Sequence, residues 1–317
     1  MSATRPHTVS VIICTYNRAE SLRRTLESLE QLVTDGFEHE WIVVDNNSTD
    51  DTPQFLAEYA KRQPRLRVLH ETRQGKSHAL NRGITAVRGD IVAFTDDDVR
   101  LPPDWLQRMV ELYDAQGAAA VGGRVVLGDD QAFPEWLHRQ LLVYLGLHDE
   151  GEGTMEVHPP GTLIGANMSV RKDVLDAVGG FNTALGPQGR NYASPNNEDV
   201  EFCHRVARLG VGPLIYSSDV VAYHEMMPEK LTRAYFRQRA WGEGIGIIFR
   251  NAAYSRGSLP ADTLRLVYRS SRLAVGWLKN VRHPDERFLR EFRFIWQWSA
   301  LIARFRGLPN RKESLPR

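Results

Sequence analysis

Cysteine is nearly absent: the 317-residue chain has two, Cys14 and Cys203. Two thiols cannot build the disulfide framework of a small secreted domain, so both are read as small buried hydrophobes in a reducing compartment. No apolar run approaches the ~18–20 residues of a membrane-spanning helix. The first such run, VSVIIC, has strand length, and no secretory leader is recognisable before it. Internal repeats and low-complexity tracts are missing, and 42% apolar with 25% charged residues excludes disordered and fibrous classes. The expectation is a globular protein, soluble or peripheral, in the cytoplasm.

Net charge is small too, at +1, but it conceals a division. Residues 1–229 hold 21 basic and 33 acidic side chains, a net of −12; residues 230–317 hold 19 and 6, a net of +13. A basic tail on an acidic body suggests that the tail faces something anionic.

The first hundred residues alternate short apolar runs with helical periodicity. VSVIIC (9–14), WIVVD (41–45), LRVLH (66–70) and DIVAFTDDD (90–98) read as strands. Helices are predicted between them, around Leu22–Val33, over Thr52–Arg62 and over Ser77–Val87. This is βαβ patterning, hence an α/β fold with a mostly parallel sheet and ligands at the strands' carboxyl ends. Further strands are expected at 119–127, 163–170, PLIYS and VVAYH, with a helix carrying Trp136, Leu137, Leu141 and Tyr144 and another over Glu198–Leu209. The Gly-, Pro- and Asn-rich stretch 181–196 has the length of a binding loop or lid.

Polar clusters end three strands: Thr15-Tyr16-Asn17, Asp45-Asn46-Asn47-Ser48 and Asp96-Asp97-Asp98. Three adjacent carboxylates at the end of a buried strand repel one another unless a cation joins them. They suit a hard divalent ion, or else a solvated acidic turn. Asp45 can accept a hydrogen bond from a nucleotide base or ribose, or cap a turn with Ser48 and Asp50.

Six ordered segments resemble the inverting family-2 glycosyltransferases of the GT-A fold: VSVIICTYNR, VVDNNSTDDT, GKSHALNRGI, FTDDDVRLPPDW, GANMSVRKDVLDAVGGFN and NNEDVEFCHRVARLG. The resemblance covers about residues 9–224. It implies a Rossmann-like GT-A catalytic domain over 1–228, with a nucleotide-binding half (1–117) and an acceptor-binding half (118–228), followed by a basic helical region (229–317). It also implies that Thr15, Tyr16 and Asn17 line the nucleotide, with Asp45 on the base. Gly75 would let backbone approach the nucleotide, and Lys76 or Arg73 would neutralise a phosphate. Asp96 would hold the ribose or a metal-bound water, Asp97 stand beside it, and Asp98 ligate Mn²⁺ or Mg²⁺ with His224 as a further ligand. Asp199 would be the catalytic base, Glu198 would orient the site or touch the acceptor, and Gly165, Ala166 and Asn167 would abut the donor sugar.

The expected reaction is metal-dependent transfer, with inversion, from a nucleotide diphosphate sugar to an acceptor hydroxyl of a glycan or lipid-linked saccharide. UDP is the default because it is the family's commonest donor type. Gln238-Arg239-Ala240-Trp241 departs from the QxxRW motif of processive synthases. Competing readings are a nucleotidyltransferase, whose Gly-rich loop after the first strand is missing here, and a degenerate nucleotide-sugar-binding or membrane scaffold. In the tail, residues 288–305 place Phe288, Phe292, Ile295, Trp298, Ile302 and Phe305 at helical spacing. That stripe suits either an anionic membrane surface or packing onto the catalytic body. No recognised motif supports nucleic-acid binding.

Overall fold

A computed structural model describes residues 7–128, 132–189, 191–251 and 283–305, together with Tyr268 and Leu273. Among the described residues, nine strands form one sheet in the order β3-β2-β1-β4-β8-β6-β9-β5, with β7 also paired to β9. Strands β1 (Thr8–Thr15), β2 (Glu38–Asp45), β3 (Leu66–His70) and β4 (Ile91–Asp96) are mutually parallel. Strand β8 (Asn167–Arg171) runs antiparallel to both β4 and β6 (Ala120–Leu127), and β6 is parallel to β9 (Leu214–His224). The short β5 (Val99–Arg100) and β7 (Thr154–Glu156) pair antiparallel with β9.

The unbroken apolar runs of β1 and β2 are explained by burial on both faces. Val9, Val11 and Ile13 pack with Leu22, Leu26 and Leu29 of α1 (Ala19–Glu30), Leu56 and Tyr59 of α2 (Thr52–Arg62), and Trp105 and Met109 of α4 (Trp105–Gln116). Ile12 points the other way, onto Ala79 and Leu80 of α3 (Lys76–Ile84). Val174 and Leu175 of α5 (Lys172–Val178) and Phe202, Cys203 and Val206 of α6 (Glu198–Leu209) complete that second layer. Register then aligns the polar strand ends, pairing Thr15 with Asp45, Asp45 with His70, and Cys14 with Asp96.

Several expectations need correcting. Helix α3 starts at Lys76 and ends at Ile84. The strand expected from 163 begins only at Asn167, leaving Gly165 and Ala166 in a loop. PLIYS and VVAYH belong to one strand, β9, whose register against β6 shifts between Gly123 and Arg124. A side chain at Gly123 would collide with the Val220 carbonyl, so only glycine admits this bulge. Around Trp136 there is no α-helix; a 3-10 helix spans Arg139–Leu145, and Trp136 packs edge-on to Phe236 and Phe288. Cys14 is only partly buried, unlike Cys203.

Helices α7 (Arg233–Asn251) and α8 (Pro284–Phe305) follow a 3-10 turn at Pro228–Lys230. They fold back on the body through a third core, in which Phe288, Leu289 and Phe292 meet Tyr235, Phe236 and Ala240 of α7 and Leu141 and Leu145 of the 3-10 helix. The expected stripe is therefore divided: Phe288 and Phe292 are buried, while Trp298 and Phe305, with Phe294, are exposed. Among the described residues, no helix is long and apolar enough to cross a membrane.

Candidate active site

A cleft of about 900 Å³ opens over the carboxyl ends of the central strands. Strand β1 delivers Thr15, Tyr16, Asn17 and Arg18 to it, β4 delivers Asp96 followed by Asp97 and Asp98, and α3 and α6 contribute Lys76, Glu198 and Asp199. Gly165 and Ala166 line it as well. The strand itself stops at Asp96, so Asp97 and Asp98 occupy the turn into β5.

Each carboxylate of the triplet meets a cation. The Lys76 ammonium donates to Asp96. One guanidinium nitrogen of Arg18 donates to Asp97 Oδ1 at 2.9 Å and to Asp98 Oδ2 at 2.6 Å. Lys230 adds a donor to Asp98 Oδ2 at 3.3 Å, and His224 Nε2 lies 3.3 Å from Asp98 Oδ1. Burial disfavours the Asp98 carboxylate, but His224, Lys230 and Arg18 together hold its pKa well below the usual range. For Asp97 burial prevails over the pull of Arg18, and its pKa rises.

Asp96, Asp98 and His224 each present one ligand atom, all within 4.8 Å of one another. His224 Nδ1 lies 3.0 Å from the Glu225 carbonyl oxygen, which can only accept. With Nδ1 turned to that carbonyl, Nε2 is the ring nitrogen that faces the carboxylates. Two carboxylates and an imidazole suit Mn²⁺ or Mg²⁺, so the donor set fits a divalent ion.

Across the cleft, Asp199 is held by two backbone amides, Val200 N–H to Oδ1 at 2.8 Å and Gly165 N–H to Oδ2 at 3.1 Å. Glu198 beside it is buried; burial and the neighbouring Asp199 push its pKa up to about 7, against Lys76 and Arg239. The Lys76 ammonium lies among these groups. Burial lowers its pKa, but Asp96, Glu198 and Asp199 outweigh that and raise it above the ordinary lysine value.

The loop before Glu198 is braced from both sides. Ser77 Oγ donates to the Leu185 carbonyl at 2.6 Å, and Lys76 N–H donates to the Pro187 carbonyl at 2.9 Å. On the far side, Asn197 Nδ2 donates to Glu243 Oε2 at 3.0 Å, and Glu243 pairs with Arg239 at 2.9 Å. Side chains at Gly242 or Gly246 would run into the Ser194 or Asn196 carbonyl, so glycine lets α7 rest directly on this loop.

Other expected site residues are placed differently. Asp45 does not line the cleft: its Oδ1 accepts the Ser48 N–H at 3.0 Å, and Oδ2 lies 3.4 Å from His70 Nδ1. Asn17 lines the cleft but also ties two loops, accepting the Thr49 N–H at 2.7 Å and donating its own N–H to Ser48 at 2.9 Å. Gly75, at φ +141°, donates its N–H to Asn46 Oδ1 at 2.8 Å and turns the chain into α3. Arg73 is turned away onto Glu71. Asn167 is fully buried, accepting from Trp105 Nε1 at 2.8 Å and donating to the Arg124 and Val220 carbonyls, so it does not abut a donor sugar. Of the cations that hold the triplet, Arg18 and Lys230 were given no role from the sequence. Arg18 lies inside a motif already quoted, but Lys230 sits in the basic tail with no local signal.

Comparison with known proteins agrees with this geometry. The family model described as Glycosyl transferase family 2 matches residues 10–179, more than half of the chain. The chain is 27% identical over 273 residues to a glucosyl-dolichyl phosphate glucuronosyltransferase of Haloferax volcanii, covering 84% of this chain and 85% of that protein. A mannosyltransferase from Pyrobaculum calidifontis, solved in complex with GDP-Man and Mn²⁺, superimposes with a TM-score of 0.59 at 21% identity over 95% of this chain and 74% of its own. S. aureus TarS 1-349, in complex with UDP-GlcNAc, gives a TM-score of 0.52 at 18% identity, covering 92% of each chain. The sheet and its helical layers are thus those of the GT-A glycosyltransferases. The chain belongs to glycosyl transferase family 2, and it is a glycosyltransferase.

Proposed function

We propose that the protein moves a sugar from a nucleoside diphosphate donor, with UDP as the nucleotide, to a hydroxyl of a glycan or lipid-linked saccharide, inverting the anomeric centre. The observation that carries this reading is the placement of two carboxylate sets on one cleft. Asp96 and Asp98 stand with His224 at the strand ends, and Glu198 and Asp199 stand at the first turn of α6. Thr15 and Tyr16 are assigned to the nucleotide and Lys76 to the diphosphate, while Asp45 supports the nucleotide loop from behind through Ser48. A divalent ion on Asp96, Asp98 and His224 would supply Lewis-acid stabilisation of the departing diphosphate.

Asp199 takes the proton from the acceptor hydroxyl as its oxygen attacks the anomeric carbon, on the face opposite the leaving group. The two amides that grip its carboxylate orient it toward the cleft. The name of the Haloferax relative, a glucosyl-dolichyl phosphate glucuronosyltransferase, supports a lipid-linked acceptor. Asp199→Asn removes the base while keeping the amide contacts. Transfer is expected to fall by ~10²–10⁴, the usual worth of a positioned base, with donor affinity within twofold of wild type. Turnover at the wild-type rate would overturn the assignment. A nucleotide-sugar panel scored for melting temperature with and without Mn²⁺ tests UDP against other bases.

A further inference from the structure

Lys230 is buried inside the cleft, yet it comes from the basic tail, beyond the matched family segment and six residues after His224. Its ammonium and the Arg18 guanidinium converge on the same oxygen, Asp98 Oδ2, from 3.3 and 2.6 Å. Arg18 also holds Asp97, and Lys76 holds Asp96. Three carboxyl groups thus face three cations, and the triplet is matched before any ion arrives. A divalent ion entering alone onto Asp96, Asp98 and His224 would have to displace Lys76 and Lys230 or sit among like charges. A nucleoside diphosphate sugar brings two negative charges, so ion and diphosphate together add no net charge.

We propose that Lys230, acting with Arg18 and Lys76, is an exchange cation: it holds Asp98 in the free enzyme and passes to the donor diphosphate when a divalent ion takes Asp98. The inference rests on the donor reading above and extends it to how the donor binds. Ion and diphosphate then bind as one charge-balanced unit, each weak without the other, because diphosphate binding removes Lys230 from the carboxylate the ion needs. The cleft's diphosphate subsite therefore includes a residue of the tail, which places the start of the basic region in the reaction.

The test is a Mn²⁺ titration of the full-length protein, with free ion followed by electron paramagnetic resonance, in the absence and presence of saturating UDP. For wild type, UDP is expected to tighten Mn²⁺ binding at least tenfold. Lys230→Met should bind Mn²⁺ alone more tightly than wild type, bind UDP alone more weakly, and show a smaller coupling ratio. Lys230→Arg, keeping the charge, should restore the ratio, and circular-dichroism melts establish that both variants are folded. Mn²⁺ binding to Lys230→Met that is equal to or weaker than wild type would overturn the exchange. A tenfold coupling absent from wild type itself would do so even if the Met variant failed to fold. Failure of Mn²⁺ to bind wild type in either condition would instead sink the metal-dependent donor reading.

Discussion

Replacing Glu198 with Gln should make the protein more stable at neutral pH, and by an amount that depends on pH. The Glu198 carboxyl is buried at the start of α6, and burial with the adjacent Asp199 moves its pKa from 4.5 to about 7. Between those two values the folded protein holds a proton that the unfolded chain has released, so stability falls as pH rises through that window. At ~1.4 kcal/mol for each pH unit, the loss attributable to this one group is roughly 3 kcal/mol. Glutamine has the same shape and cannot ionise. Urea unfolding of both proteins at pH 5, 6, 7 and 8 should show Glu198→Gln near wild type at pH 5 and pulling ahead by ~2–3 kcal/mol at pH 8. Parallel stability curves would refute the reasoning, since they would mean that Glu198 titrates alike in both states. Such a residue, destabilising when ionised yet placed beside the proposed base, is what a site that trades stability for chemistry contains.

Asn167→Ala strands the Trp105 N–H and two backbone carbonyls in the core, for an expected loss of roughly 3 kcal/mol in urea unfolding. Adding Trp105→Phe should cost less than the sum of the two single changes, because the orphaned donor goes with the indole. Gly244→Ala drives a methyl into the Ser299 hydroxyl and the Trp296 carbonyl, where α7 meets α8. A loss of ~1–3 kcal/mol is expected, read as a lower melting temperature. Ser299→Ala in the same chain should recover only part of it, since the carbonyl remains. A Gly246→Ala change presses on the Asn196 carbonyl instead, so it should lower kcat more than it raises KM by displacing the loop that presents Glu198 and Asp199.

The alternation of strands and helices through residue 100 and the bounds of α2, β3 and α6 were legible in the sequence. Apolar periodicity reports burial directly, and α2 and α6 are buried in the way their patterns say, whereas β3 leaves Val68 exposed. The candidate carboxylates Asp96 and Asp98 were legible because three acids closing a buried apolar run stand out against their surroundings, whereas Asp199 reads alone as ordinary helix-start chemistry and was picked out by resemblance. Resemblance added their roles.

Tertiary structure alone decided which charges meet. Nothing local places Lys230 against Asp98, 132 positions away, or ties Asn197 to Glu243; those pairings exist because α7 folds back beneath the loop before α6. It also decided that Asn167 would lock the β9 bulge, because only folding brings Trp105, Arg124 and Val220 to one amide. The aromatic stripe of α8 shows the same limit. Spacing defines a helix face, but the partner surface selects which part of that face is covered, leaving Phe288 and Phe292 inside and Trp298 and Phe305 outside. A sequence determines what each segment can bury, while the sites where distant charges neutralise one another are set by the packing of those segments.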